Sequence, residues 1–366
     1  MKIKNKIILI GNGFDLAHGF KTSFFDLANF IINHKIAPDL KDVIVHQNNS
    51  NSHFFSNALK KINIRAKKID ELGDDFYNNL IRSALDNDQE ILNKYLKENL
   101  GSLDLILSNK FLSKLYKTDY NNWFDIENSY FSELKNIKKS FDNSVDFSST
   151  KIKLERLNRD FEQLKEFLME YLESIEIAKN SKVDEFLKKI FRDAKNVYIV
   201  NFNYTKTIEQ YIDLNSSKTI FNINYIHGSI INNDIILGYG NDQNEDYIDI
   251  KNTEIDEFLE HFKTFQYLSK NYYERLHSEA INSFPSYEIH VIGHSLGSTD
   301  KTLLDEIMNT SKCEKIHLYK RGDLSNDKKM ERYQFNKLLF SASRIFTDEK
   351  ALRKKIINYI TSPSFP

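Results

Sequence analysis

Ile7-Ile8-Leu9-Ile10-Gly11-Asn12-Gly13-Phe14-Asp15-Leu16-Ala17-His18-Gly19 is the stretch whose reading decides the fold. Four apolar residues in a row, three of them isoleucine, run straight into a glycine turn. An uninterrupted, β-branched run of this kind predicts a central parallel strand covered on both faces. Gly11 and Gly13 mark its exit, and glycine both tolerates positive φ and lets a ligand come close to the backbone. Gly-Asn-Gly is therefore a candidate phosphate or ribose cradle. The three-glycine dinucleotide fingerprint is absent, since the next glycine is Gly19, and an ordinary strand-to-helix turn is the plain alternative.

A chain of 366 residues can bury a large core in one elaborated domain or two. Lys and Arg number 51 against 52 Asp and Glu, so charge gives no case for nucleic acid or an anionic membrane as partner. Aromatic residues make up 13%, which argues for a folded chain, and only four prolines favour helices over a turn-rich sandwich. The single cysteine, Cys313, excludes an intramolecular disulfide and any multi-cysteine metal site, and no metal is expected. No run approaches the roughly 18 apolar residues of a membrane span, and no cleavable signal pattern follows Met1. The expected location is the cytoplasm.

Along the chain, Asp15 to about Ile32 reads as a helix that Thr22 or Ser23 could cap. From about residue 35 to 190 the pattern is helical, with almost no strand signal, and predicts a large helical insertion. Within it Trp123, Asp125 and Glu127 stand together, Trp123 and Glu127 on one helical face. Leu154, Leu157, Phe161, Leu164, Leu168, Tyr171 and Ile175 recur at spacings of three and four and predict a long amphipathic helix. Core packing is its expected use, and a homo-oligomer seam is the alternative. Strands return at 196–202, 220–226, 235–237, 287–292 and 315–319, and helices are expected at about 206–214 and 254–280 and at the end of the chain. Short buried strands alternating with helices predict an α/β fold, a Rossmann-like doubly wound and mostly parallel sheet built from residues 1–34 and 191–366.

In such sheets ligands bind at the carboxyl ends of the strands, and here those ends carry Gly11, Asn203, His227, Asp242 and Ser295. Asn203 could equally hydrogen-bond its own turn, and His227 could be structural, although an unperturbed pKa near 6.5 suits a general base. Gly293-His294-Ser295-Leu296-Gly297 matches the Gly-x-Ser-x-Gly nucleophile elbow between a strand and a helix. A serine hydrolase would also need a later loop histidine. The only histidine after Ser295 is His317, inside an expected strand.

Taken together, residues 9–19, Trp123-Phe124-Asp125-Ile126-Glu127, Asn201-Phe202-Asn203-Tyr204-Thr205, Ile226-His227-Gly228 and 292–300 resemble the blocks of the bacteriophage abortive-infection AbiH family, in order and over nearly the whole chain. That family is in turn distantly similar to sirtuin-like nucleotide-binding domains. The resemblance implies Gly11 and Gly13 on the phosphate side of NAD or NADP, with Asn12, Phe14 and Asp15 as further cofactor-binding candidates, Asp15 needing a cation or a place on the sugar side. It implies Asn203 and His227 as catalytic residues, and Gly293, Ser295 and Asp300 on the adenosine side. Trp123, Asp125, Glu127, Tyr204 and Asp242 are further crevice candidates. Asn12 between the glycines and Thr205 after Asn-Tyr depart from the sirtuin pattern, and the absence of a cysteine cluster argues against protein deacylation.

The implied reaction is cleavage of the nicotinamide–ribose bond of NAD(P), which depletes nucleotide in an infected cell, with a phage-derived trigger as partner. The rivals are a nucleotide-binding phage sensor without turnover and, more remotely, a hydrolase using Ser295.

Overall fold

The structure, a computed structural model, describes residues 5–31, 34–35, 109–116, 123–216 and 218–366. The 36–108 part of the expected helical insertion lies outside the described residues.

Two compact units divide the chain. The first comprises Met1–Thr22, Leu134–Lys138 and Leu172–Pro366, and the second Ser23–Glu133 and Lys139–Tyr171.

The first unit is an α/β layer around a five-stranded parallel sheet. Its strands are β1 (Asn5–Ile10), β2 (Asn196–Asn201), β3 (Ile220–Tyr225), β4 (Tyr287–Ile292) and β5 (Cys313–Leu318), in the order β3-β2-β1-β4-β5. The strand order therefore reverses between β1 and β4, which are direct neighbours. The apolar run that predicted a central strand is that strand: Ile7, Ile8 and Leu9 are wholly buried. Side chains alternate between faces along a strand, so Ile7 and Leu9 enter one core and Ile8 and Ile10 the other. The first core is closed by Leu303, Leu304 and Ile307 of a helix at Lys301–Met308. The second is closed by Val183, Leu187 and Ile190 of a helix at Ser181–Phe191, which Asn180 caps by accepting from the N–H groups of Lys182 and Val183. β4 and β5 pair with one register shift, between Tyr287 and Glu288.

Several expected elements differ. The helix expected from Asp15 to Ile32 is two helices, α1 (Asn12–Leu16) and α2 (Phe24–Ile31). The first ends in tight bonds from His18 and Gly19 N–H to the Asp15 and Leu16 carbonyls, with Gly19 at φ +79. Ser23 caps α2 reciprocally with Asp26. The 235–237 triplet is not a sheet strand. It is buried because Ile236 N–H donates to the His227 carbonyl and its own carbonyl accepts from the Tyr204 hydroxyl. The 254–280 stretch is broken into short helices at Asp256–Phe258, Lys263–Leu268, Tyr272–Leu276 and His277–Ile281. A two-residue pair, β6 (Lys320–Arg321) with β7 (Ser364–Phe365), was not expected.

The second unit contains α2, a helix at Lys110–Tyr116 and most of the helices at Trp123–Ser144 and Phe147–Glu173. The amphipathic stripe is its core. Leu154, Phe161, Leu164 and Leu168 are wholly buried, Phe161 stacks on Tyr130 at 4.3 Å, and Ile175 lies beyond the helix end. Trp123 meets Phe24 edge-on at 6.1 Å, Asp125 sits in the first turn of its helix and Glu127 is buried. Among the described residues, no helix is long and apolar enough to cross a membrane.

Ile8→Ala would leave a cavity in the second sheet core. Such truncations cost about 2–5 kcal/mol, and chemical denaturation monitored by circular dichroism checks the loss.

Candidate functional site

The turn after β1 is locked to the turn after β4 by backbone alone. Gly11 N–H donates to the Ile292 carbonyl at 3.1 Å and Gly13 N–H to the Gly293 carbonyl at 2.8 Å. A Cβ on Gly11 would lie 2.5 Å from His294 Cα, and one on Gly293, at φ +71, would lie 2.2 Å from Phe14 N. Only glycine fits there, because side chains on either strand end would hold the two turns apart. The glycines thus provide close approach, while their N–H groups point into the neighbouring turn. Asn12 is engaged on both ends of its amide, donating to the Thr22 carbonyl at 3.1 Å and accepting from its hydroxyl at 2.6 Å. Phe14 is wholly buried in the second core, where it stacks on Phe365.

Two polar clusters sit at the carboxyl edge of the sheet. The first follows β1 and β2. Asp15 is 1% exposed, its Oδ2 accepts from the Thr205 hydroxyl at 2.6 Å, and its Oδ1 has no hydrogen-bond partner. Burial raises its carboxyl above the usual range, against hydrogen bonds from Thr205 and Thr207. Asn203 donates from Nδ2 to the Gly11 carbonyl at 3.1 Å, and its backbone N–H is held by Asn201 Oδ1 at 3.0 Å. This ties the β2 exit to the glycine turn and fixes the amide at the edge.

The second cluster follows β3 and β4 and centres on Asp300. Its Oδ1 lies 2.6 Å from Lys263 Nζ and 3.0 Å from His227 Nε2, and its Oδ2 lies 3.5 Å from His294 Nε2. Lys263 is wholly buried, and His227, His294 and Asp300 are each at least 93% buried. Tyr267 adds its hydroxyl 3.1 Å from His227 Nε2, and Phe202 packs its ring against both imidazoles, 5.1 Å from His227 and 4.1 Å from His294. Burial alone would raise the Asp300 carboxyl, but the Lys263 ammonium and the two histidines hold it well below the usual range. Burial first and the Lys263 charge second push His227 down from 6.5 to about 4, against the attraction of Asp300. His227 is therefore a neutral imidazole beside an ionised carboxylate. A carboxylate only accepts, so the proton sits on Nε2 and the lone pair on Nδ1, to which nothing bonds among the described residues. Leu296 N–H donates to His294 Nδ1 at 3.0 Å, which leaves the His294 proton on Nε2, toward Asp300.

The cluster thus brings together His227 and Asp300, both expected, with Lys263, His294 and Tyr267, which sequence reasoning passed over. His294 lay inside the quoted Gly-His-Ser block and was legible. Lys263 was hidden in a stretch read for its apolar stripe. Tyr204 extends the aromatic wall, its ring 6.5 Å from that of His227. Asp242 accepts from the Thr302 hydroxyl at 2.7 Å at the head of the Lys301–Met308 helix. Ser295 is exposed, and no hydrogen bond joins it to a histidine. The positive φ of that turn falls on Leu296 and Gly293, not on the serine. Trp123, Asp125 and Glu127 belong to the second unit.

Breaking a buried pair from one side costs about 3–5 kcal/mol. Lys263→Met is expected to lose stability on that scale in denaturation and to raise the His227 pKa, since the cation that disfavours the imidazolium is gone. Histidine NMR titration reads the second effect. His227 also makes stability pH-dependent. Unfolded chains take up a proton near 6.5 that the folded protein refuses until about 4. Stability is therefore full above 6.5 and falls as pH drops toward 4. Melting temperature against pH checks this slope, which His227→Gln should flatten.

A family model described as "Bacteriophage abortive infection AbiH" matches residues 7–320 of the chain. No curated protein matches it.

Proposed function

The chain belongs to the bacteriophage abortive infection AbiH family, and from that premise we propose that it acts in phage defence as an NAD(P) glycohydrolase. In this reading the α/β unit is a doubly wound, sirtuin-like nucleotide-binding body, and NAD or NADP is both ligand and substrate. The observation that carries the proposal is the 3.0 Å pair between His227 Nε2 and the ionised Asp300, which leaves Nδ1 as an uncharged base at the sheet's carboxyl edge.

Water attacks the anomeric carbon of the ribose as the bond to nicotinamide breaks, and the pyridinium takes the bonding pair and leaves neutral. No general acid is required. His227 Nδ1 takes the proton that the water loses, and Asp300 stabilises the imidazolium as it forms. Asn203, fixed through Nδ2 to Gly11, presents Oδ1 to the water or a ribose hydroxyl. Lys263 and His294 are positioning residues, because they act on Asp300. Gly11, Gly13 and Gly293 hold the exits of β1 and β4 together at the edge where the nucleotide lies in this reading, and Asp15 lies on the sugar side. A phage-derived component is the expected trigger. Ser295 has no histidine partner, which counts against the serine-hydrolase reading.

The test incubates purified protein with NAD or NADP, with and without lysate of phage-infected cells, and follows free nicotinamide. Release is expected, and Asn203→Ala and His227→Ala are each expected to lower it by about 100-fold or more, within the usual range for general acid–base catalysis. The acid limb of the rate profile is expected near the folded pKa of about 4 rather than near 6.5. Nucleotide binding without release under every condition would instead leave a sensor.

A further inference from the structure

A second group of chemistry-bearing side chains lies on the sheet face covered by the Ser181–Phe191 helix. Glu288 and His290 alternate onto one face of β4, and the pairing of β4 with β5 sets His317 beside His290. The imidazoles stack at 4.4 Å with planes 5° apart. His290 Nε2 lies 3.3 Å from Glu288 Oε1 and His317 Nε2 lies 3.5 Å from Glu288 Oε2. All three residues place a ligand atom within 4.8 Å of the others. His317 Nε2 is buried with no hydrogen-bond partner. None of these groups contributes to the NAD(P) chemistry proposed above.

We propose that Glu288, His290 and His317 form a binding site for one divalent transition-metal ion of the zinc type. Two imidazoles and one carboxylate are a three-residue zinc set that leaves a fourth position for water. Atoms bound at about 2.0–2.1 Å in a tetrahedron stand about 3.3–3.4 Å apart; the two imidazoles already face the two oxygens of one carboxylate at 3.3 and 3.5 Å, so small rotations bring one oxygen and both nitrogens onto a single ion. Tyr319 supplies the outer support that metal-binding histidines carry, its hydroxyl 2.5 Å from His290 Nδ1, which fixes the ring with Nε2 toward the site. His317 keeps 23% of its side chain exposed while its Nε2 is buried, so the site lies just beneath the surface. Lys6 Nζ, 2.9 Å from Glu288 Oε1, is the competitor that a bound cation would repel. The nitrogen-rich donor set favours Zn²⁺ over Mg²⁺ or Ca²⁺.

The test uses the full chain stripped with a chelator, titrated with Zn²⁺ by calorimetry and with Co²⁺ by visible absorption. One ion per chain is expected, with a tetrahedral Co²⁺ spectrum and a melting temperature that rises on Zn²⁺ addition. His317→Ala should abolish all three. Tyr319→Phe should weaken the affinity about 10–100-fold, the usual effect of losing an outer-shell partner. Lys6→Met should tighten it. Mg²⁺ should not compete. Less than one Zn²⁺ per chain, or a stoichiometric site that His317→Ala retains, would overturn the proposal. Because the readouts are binding and stability, they stand apart from nicotinamide release.

Discussion

The contact of Gly13 with Gly293, backbone against backbone at 2.8 Å, is the constraint on which the carboxyl edge depends. It joins the ends of β1 and β4, the two neighbours between which the strand order reverses, and it has no room for a Cβ on either side. Holding the turns this close brings His294 Cα against Gly11 and sends the following loop back toward Asp300. Asn203 then closes the arrangement from β2 by donating to Gly11. Three strand ends are positioned by one bare-backbone junction, and a methyl group at Gly11, Gly13 or Gly293 would act on all of them.

The Asp300 cluster shows how burial and charge divide the work. A lone carboxylate buried this deeply would hold its proton, and a lone buried lysine would lose one. Together they stay charged, and the resulting dipole sets the state of the neighbour. Lys263 makes an imidazolium at His227 unfavourable, while Asp300 fixes which nitrogen carries the proton. The same burial leaves Asp15 with one oxygen bonded to Thr205 and the other bare. The edge therefore combines an uncharged base, a carboxyl raised above its usual range and a fixed amide within one loop system.

Much of this was legible. β1 shows itself because a strand buried on both faces is apolar at nearly every position, β2 and β4 because β-branched and aromatic residues recur along them even where Glu288 and His290 interrupt, and the polar residues at their exits marked the edge. The 235–237 triplet misled because a short apolar run looks the same whether a ladder or a pair of loop contacts buries it. The 254–280 stretch misled because its stripe continues through breaks in the backbone. Lys263 could not be placed from sequence, since its partner lies 37 residues later and only the fold brings them together. Asn12 and Phe14 looked like ligand contacts because of where they stand, yet one ties down a loop and the other fills the core. Glu288 and His290 share a strand face by spacing alone, whereas His317 joins them only through the register of β5.

That register accommodates a single extra residue. Tyr287 pairs with Cys313 but Glu288 pairs with Lys315, so Glu314 is passed over, and the side chains of β5 exchange faces at that point. Cys313 and Ile316 both enter the first core although they are an odd number of positions apart, and His317 is thereby turned to the opposite face beside His290. Removal of Glu314 would make the Tyr287–Cys313 and Glu288–Lys315 pairs consecutive and keep both faces, whereas a slip of one residue beyond Lys315 would drive an imidazole into the core and carry Ile316 out of it. The apolar packing of the sheet and the histidine pair are therefore inherited together, and a change of chain length at Glu314 cannot preserve one without the other.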